Sequence, residues 1–242
     1  KQADIIIASN IRSAQLIKRD FGINREKVSL IGDSCNTEEY TPTKNKEAGR
    51  EKYGLPLEKK VVVFLGVLSK YQGIDCLLEA AAIVVEQYRD VFFAIAGFPN
   101  IDYYKKLTET LGISDSVKFY GRIPYLDAPE FLACADIGVG PKISLTEGNQ
   151  KLYAYMSCGL VTVAFESQIN RAIISDAGLY ADFGSASSLA ETLLTALKDE
   201  CIAQDLRIKA REHALKNFSW LITAKEIENL YMALISDNSC HK

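Results

Sequence analysis

Between Lys60 and Phe183, short apolar runs alternate with stretches of helical period, and this rhythm constrains the fold more than any other feature of the chain. The runs are KVVVFLGV from Lys60, VFFAIAG from Val91, VKFYG from Val117, DIGVG from Asp136, LVTVAF from Leu160 and GLYADF from Gly178. Between them lie GIDCLLEAAAIVVEQY, IDYYKKLTETLG, YLDAPEFLACA, a helix inside EGNQKLYAYMSCG and another over 169–174. A strand that is apolar at consecutive rather than alternate positions must be covered on both faces, and strands separated by helices pair in parallel. The expected fold class is α/β, a Rossmann-like parallel sheet with helices on both faces. From residue 185 onward the three-four apolar spacing continues through SSLAETLLTALKD, CIAQDLRIKAREHALKN and SWLITAKEIENLYMALI, which predicts a helical C-terminal tail.

Upstream of Lys60 the pattern is sparser. ADIIIASN reads as a strand, 11–21 as an amphipathic helix stopped by Gly22, and KVSLI from Lys27 as a second short strand. GDSCNTEEYTPTKN is polar, turn-rich and contains Pro42, so it reads as a linker. The division that follows is 1–45 as the remnant of a preceding domain with its linker, and 46–242 as one complete domain. The opening KQAD has no initiator Met and no charged-then-apolar leader, so the expectation is a piece of a longer polypeptide without a signal peptide.

Composition removes several function classes. The 242 residues are 48% hydrophobic and 24% charged, enough for one sizeable core. With 28 basic residues against 31 acidic ones and no long basic run, binding of nucleic acid by phosphate neutralisation is not expected, whereas a single phosphate pocket is compatible. No apolar run approaches the roughly 20 residues that span a bilayer. Six cysteines (Cys35, Cys76, Cys134, Cys158, Cys201, Cys240) form no C-x-x-C pair, and only His213 and His241 could join them. They read as free thiols of a reducing compartment rather than zinc ligands, which implies a cytoplasmic location, the membrane surface included, and neither metal nor cofactor.

In an open parallel sheet, ligands bind beyond the carboxyl ends of the strands. Those positions hold Gly66, Ser69, Lys70 and Gly73; then Gly97, Phe98 and Pro99; then Gly121, Arg122 and Ile123; then Gly140, Pro141, Lys142, Thr146, Glu147, Gly148, Asn149 and Lys151. Taken singly, each glycine ends a strand and each lysine is a solvated charge. Taken jointly, glycines after four strands suit a close backbone approach to a ligand, and several cations at one edge suit an anionic one.

The same segments carry a resemblance that runs along nearly the whole chain. KVSLIGDSCNTEEYTP, VVVFLGVLSKYQGIDCLLEAA, VKFYGRIPYLDAPEFLACADIGVGP, YMSCGLVTVAF and NRAIISDAGLY resemble, in order, five passages of the family 4 glycosyltransferases, which have the two-domain GT-B fold. The resemblance implies the donor-binding half of such an enzyme, retaining in mechanism and taking a sugar from a UDP- or GDP-linked donor. It implies a glycan or lipid-linked acceptor bound through the missing first domain, and little turnover by this piece alone. The base would lie against the backbone of 121–123, with Ile123 as a wall. Glu147 and Asn149 would read ribose or sugar hydroxyls, and Lys70 and Lys151 would neutralise the leaving diphosphate. The implied catalytic set is Glu147, Lys70 and Lys151. The implied donor-binding set is Gly66, Ser69, Gly97, Gly121, Arg122, Ile123, Lys142, Thr146, Gly148 and Asn149.

Departures from the family pattern fall on its most chemical positions. Its phosphate-binding arginine and lysine align with Val67 and Gln72, and its two glutamates with Thr146 and Ala154. EGNQKL resembles a variant branch in which Asn and Lys ahead of Y-x-Y-M take over part of the pocket. Two rival readings stay open: a non-catalytic nucleotide-sugar-binding module or partner subunit, and another GT-B-like enzyme such as an epimerase, whose carboxylate and histidine set is not visible here.

Overall fold

The computed structural model describes residues 3–239. Six strands form one all-parallel sheet: β3 (Lys60–Leu65), β4 (Val91–Ala96), β5 (Val117–Gly121), β6 (Ile137–Gly140), β7 (Val161–Phe165) and β8 (Gly178–Ala181), in the spatial order β5-β4-β3-β6-β7-β8. The chain runs outward from β3 to β5, then returns to β6 beside β3 and runs outward the other way. That reversal defines the single switch point of the sheet.

The consecutive apolar residues of β3 do what their pattern requires. Val61, Val62, Val63 and Phe64 are each 0% exposed. Successive side chains point to opposite faces: Val62 and Phe64 join a cluster with α3 (Ile74–Gln87) and α8 (Ala186–Lys198), and Val61 and Val63 join one with α5 (Ala128–Ala133) and α6 (Lys151–Ser157). Each fully buried aliphatic side chain contributes roughly 1.5–3 kcal/mol, so a charge at Val62 would be enough to unseat the strand. α4 (Ile101–Thr110) packs on the first face, and α7 (Gln168–Ile174) on the second. α9 (Glu200–Asn217) reaches both, with Ala203 and Leu206 in the first cluster and Ala210 and Ala214 in the second. The helical tail closes with α10 (Trp220–Ser239).

A separate two-stranded parallel sheet precedes this body, with β1 (Ile6–Ala8) paired to β2 (Val28–Leu30) across α1 (Ile11–Phe21). Asn10 caps α1 by accepting from the Ser13 N–H at 2.9 Å. The segment 32–45 has no helix, yet it is tied down: the Cys35 N–H donates to the Phe218 carbonyl at 2.9 Å, and Arg211 Nη1 donates to the carbonyls of Thr37 and Tyr40.

One helix escapes the sequence reading. α2 (Lys46–Tyr53) has too few apolar residues to show a period, and what fixes it is polar. Asn45 caps it, and its Arg50, 6% exposed, donates from Nη2 to Asp136 Oδ2 at 2.7 Å. Asp136 also accepts from Lys46 Nζ and from the Val61 N–H, each at 2.7 Å. This cluster lies at the amino edge of the sheet, opposite the carboxyl edge.

Candidate functional site

The loops after β3 and β6 leave the sheet toward opposite faces, and the crevice between them is where a ligand can enter. Lys151, the first residue of α6, bridges it. Its Nζ donates to Gln72 Oε1 at 2.8 Å and to Asn149 Oδ1 at 3.2 Å, and lies 5.2 Å from the centre of the Phe64 ring. Its stem runs past Gly66, where a Cβ would come within 3.1 Å of Lys151 Cε. Burial first, and the neighbouring Lys142 second, push the ammonium down to about 7. Both hydrogen-bond partners are neutral amide oxygens, so the cation has no carboxylate partner among the described residues. A buried charge without a countercharge is strongly disfavoured, and an anion in the crevice reverses that balance.

Asn149, 1% exposed, continues the arrangement. Its Nδ2 donates to the Gly140 carbonyl at 3.0 Å and to Asn170 Oδ1 at 3.3 Å. Asn170, 3% exposed on α7, donates from Nδ2 to the Phe165 carbonyl at 2.7 Å. An ammonium can only donate, so both amide oxygens must face Lys151, and the orientation of each amide along the chain follows from that.

Lys142 is buried rather than solvated. Its Nζ donates to the Gly148 carbonyl at 2.8 Å and pairs with Glu147 Oε2 at 2.7 Å. Glu147 itself is exposed. The Thr146 carbonyl accepts from Asn10 Nδ2 at 3.3 Å and from Ser13 Oγ at 3.4 Å, so the N-terminal βαβ unit holds the far end of this loop.

Lys142, Glu147, Gly148, Asn149 and Lys151 therefore form one connected group with Gly66 and Gln72. Lys70 is exposed on the β3 loop and makes no hydrogen bond or ion pair through its ammonium among the described residues. Ser69 Oγ, beside it, is buried without a partner among the described residues. Arg122 stacks on the exposed Phe98 ring, with 4.1 Å from its guanidinium carbon to the ring centre. Ile123 packs on the core, and the Gly121 carbonyl accepts from the Gly97 N–H at 2.7 Å, which leaves one of its two lone pairs.

Three of the glycines have a close neighbour inside the chain. A Cβ on Gly97 would sit 1.7 Å from the Gly66 carbonyl oxygen, one on Gly73 1.8 Å from that of Pro141, and one on Gly140 2.6 Å from Leu152 Cδ2. At these three positions the missing side chain makes room for the chain itself. Gly121 differs: at φ 66 its nearest neighbour would be Ile101 Cδ1 at 3.8 Å.

Gln72 and Asn170 are the residues the sequence reading misses as partners. Gln72 enters it only as a departure from a pattern. Asn170 offered one weak signal, an amide in the first turn of a short helix, three residues after its Ser167 cap. No group of three or more His, Cys, Asp or Glu side chains converges as a metal site among the described residues, and no described helix is long and apolar enough to cross a membrane.

Comparison with known proteins shows the family and the fold. A family model described as "Glycosyl transferases group 1" matches residues 45–213. The chain is 28% identical over 251 residues to D-inositol 3-phosphate glycosyltransferase of Corynebacterium diphtheriae, covering 99% of this chain and 58% of that protein. It is 27% identical over 244 residues to the protein of the same name from Mycolicibacterium smegmatis, covering 98% and 54%. Among solved structures, Anabaena HepE in complex with UDP aligns at a TM-score of 0.86 with 21% identity over 96% of this chain and 64% of that one. The last likeness establishes the fold, and the chain spans little more than half the length of these two curated relatives.

Proposed function

The chain belongs to the group 1 glycosyl transferases, and from that premise we propose that it supplies the donor-binding half of a retaining hexosyltransferase. The donor is a sugar linked to UDP or GDP. The acceptor, a glycan or a lipid-linked molecule, is held by protein outside this chain, because the chain matches only 58% of a relative's length. Residues 46–242 form the donor domain, and 1–45 come from its partner domain with the linker. Alone, the chain binds donor and turns over little.

One observation carries this reading: the Lys151 ammonium lies in the crevice between β3 and β6 with amide oxygens as its only hydrogen-bond acceptors among the described residues. A diphosphate in that crevice supplies the missing negative charge. As the glycosidic bond breaks, charge grows on the leaving diphosphate, and Lys151 stabilises it there. Lys70, exposed on the neighbouring loop, can swing toward the same group. A charge-assisted contact of this kind contributes roughly 1.5–3 kcal/mol. The exposed Glu147 keeps a second carboxylate oxygen for sugar hydroxyls while the first pairs with Lys142.

Free thiols at Cys35, Cys76, Cys134, Cys158 and Cys201 support a reducing, cytoplasmic setting, at the membrane surface when the acceptor is lipid-linked. The rival reading, a nucleotide-sugar-binding module without catalysis, is favoured by Val67, Gln72 and Ala154 standing where the family places charged residues.

Calorimetric titration with UDP, GDP, UDP-glucose and uridine tests the proposal. UDP comes first because the Anabaena neighbour was solved with it. Binding of a diphosphate well above that of the nucleoside is expected, and no binding of either diphosphate sinks the donor reading. Binding without transfer, once the acceptor half is restored, favours the module.

A further inference from the structure

We propose that Gln72 and Asn170 are positioning residues for the donor diphosphate, acting through a directional amide chain, Gln72–Lys151–Asn149–Asn170, that fixes the Lys151 ammonium in the crevice. The proposal rests on the donor-site reading and deepens it, since neither residue need touch the ligand.

Lys151 Nζ has three hydrogens, and two are committed, to Gln72 Oε1 and Asn149 Oδ1, at 2.8 and 3.2 Å. The third is left for a ligand oxygen. The two acceptors come from separate loops, so they hold the ammonium from two sides as a single acceptor could not. Gln72 sits at the end of the short 3-10 turn Lys70–Gln72, anchored by the backbone contact between Gly73 and Pro141. Asn149 presents its oxygen to Lys151 only while its Nδ2 is engaged by Gly140 and Asn170. Rotating that amide by half a turn would aim its NH2 group at the ammonium. Asn170 opposes this rotation, and its own amide is held by the Phe165 carbonyl. The chain thus runs from the β3 loop to the end of β7 and gives Lys151 one position.

The groups that face Lys151 are Gln72 from the β3 loop, Phe64 from β3, Asn149 from the segment leading into α6, and Lys142 from the β6 loop. Lys142 is the one titratable group among them. The charge state of Lys151 is therefore sensitive to what stands at position 72.

The test uses UDP and uridine as calorimetric probes of the 242-residue chain, between pH 6 and 9. Gln72→Met should weaken UDP binding about tenfold, leave uridine unchanged, and have no further effect in a Lys151→Met background. Asn170→Ala should act in the same direction and be equally silent in that background. Gln72→Met should lower the pH at which UDP affinity is lost, and Gln72→Glu, which puts a carboxylate beside the ammonium, should raise it. Gln72→Asn, whose shorter side chain withdraws the oxygen, replaces Gln72→Met if that variant does not fold. Equal losses of UDP and uridine, or losses that persist in the Lys151→Met background, reduce both residues to fold support and overturn the proposal. If Lys151→Met weakens UDP binding while the Gln72 and Asn170 variants do nothing, the amide chain fails and the donor reading stands. If Lys151→Met itself is silent, both fall.

Discussion

Gly73 and Pro141 are in backbone contact: a methyl group on Gly73 would lie 1.8 Å from the Pro141 carbonyl oxygen. This contact joins the β3 loop to the β6 loop across the switch point and sets the width of the crevice that Lys151 enters. Gly73 also adopts φ 78, so a side chain there meets both a clash and backbone strain.

Gly73→Ala should therefore lower the melting temperature steeply and abolish UDP binding. Gly112→Ala is the control, because Gly112 shares the positive φ, at 70, but has nothing within 4 Å of its missing Cβ. That substitution should cost only about 1–2 kcal/mol and leave binding intact. Similar thermal shifts for the two would mean that the Pro141 contact is soft.

Lys151→Ala should weaken UDP binding by roughly 1.5–3 kcal/mol, about tenfold to a hundredfold, with uridine almost unaffected. On the donor-site proposal only the diphosphate reaches the ammonium, so the contrast between the two ligands is the measurement. A parallel loss of both would make Lys151 a support of the fold.

The pH dependence of the same site has a definite sign. Burial, aided by Lys142, lowers the Lys151 ammonium from 10.5 to about 7 in the folded chain. UDP needs the charged form, so affinity should hold below about 7 and fall as the pH rises above it. Stability moves the other way. Between about 7 and 10.5 the unfolded chain binds the proton that the folded chain has released, so Lys151 makes stability rise with pH across that window. Calorimetry at pH 6 and 8.5, with denaturant unfolding under the same buffers, measures both slopes, and Lys151→Met should flatten both.

Asp136→Asn should destabilise the fold by about 3–5 kcal/mol, because it leaves the buried Arg50 guanidinium without its countercharge. Burial works to raise the Asp136 pKa, but Lys46, the Val61 N–H and Arg50 together outweigh it and hold the carboxyl below its usual 3.8. A group depressed in the folded state contributes stability that is complete above the unfolded value and lost as pH falls through the folded one. The wild-type chain should thus lose this contribution below pH 3.8, and the variant should lack it throughout. Urea unfolding at pH 7 and near pH 3 separates the two.

Glu147→Gln should change stability by less than about 1 kcal/mol, since its carboxylate is exposed and Lys142 keeps its bond to the Gly148 carbonyl. If Glu147 reads the sugar, the preference for UDP-glucose over UDP should disappear in the variant. An unchanged preference would remove Glu147 from the site.

The alternation of apolar runs with helical segments determined the sheet and its two covered faces, because periodicity and burial are local properties that a few neighbouring residues express. The same local signals placed α1 at 11–21 and started β3 at Lys60. Polarity marked EGNQKL as unusual but not what each group would meet. Only the tertiary structure decided that Lys151 reaches Gln72, 79 positions away, that Lys142 is buried against Glu147 and Gly148, and that Gly97, Gly73 and Gly140 yield space to the chain itself. α2 stayed hidden for the same reason, since Arg50 finds its carboxylate 86 positions later. The physical cause is that a polar side chain advertises its need for a partner without naming one. The partner is chosen by the reversal of strand order between β3 and β6, a property of the whole sheet that no window of sequence contains.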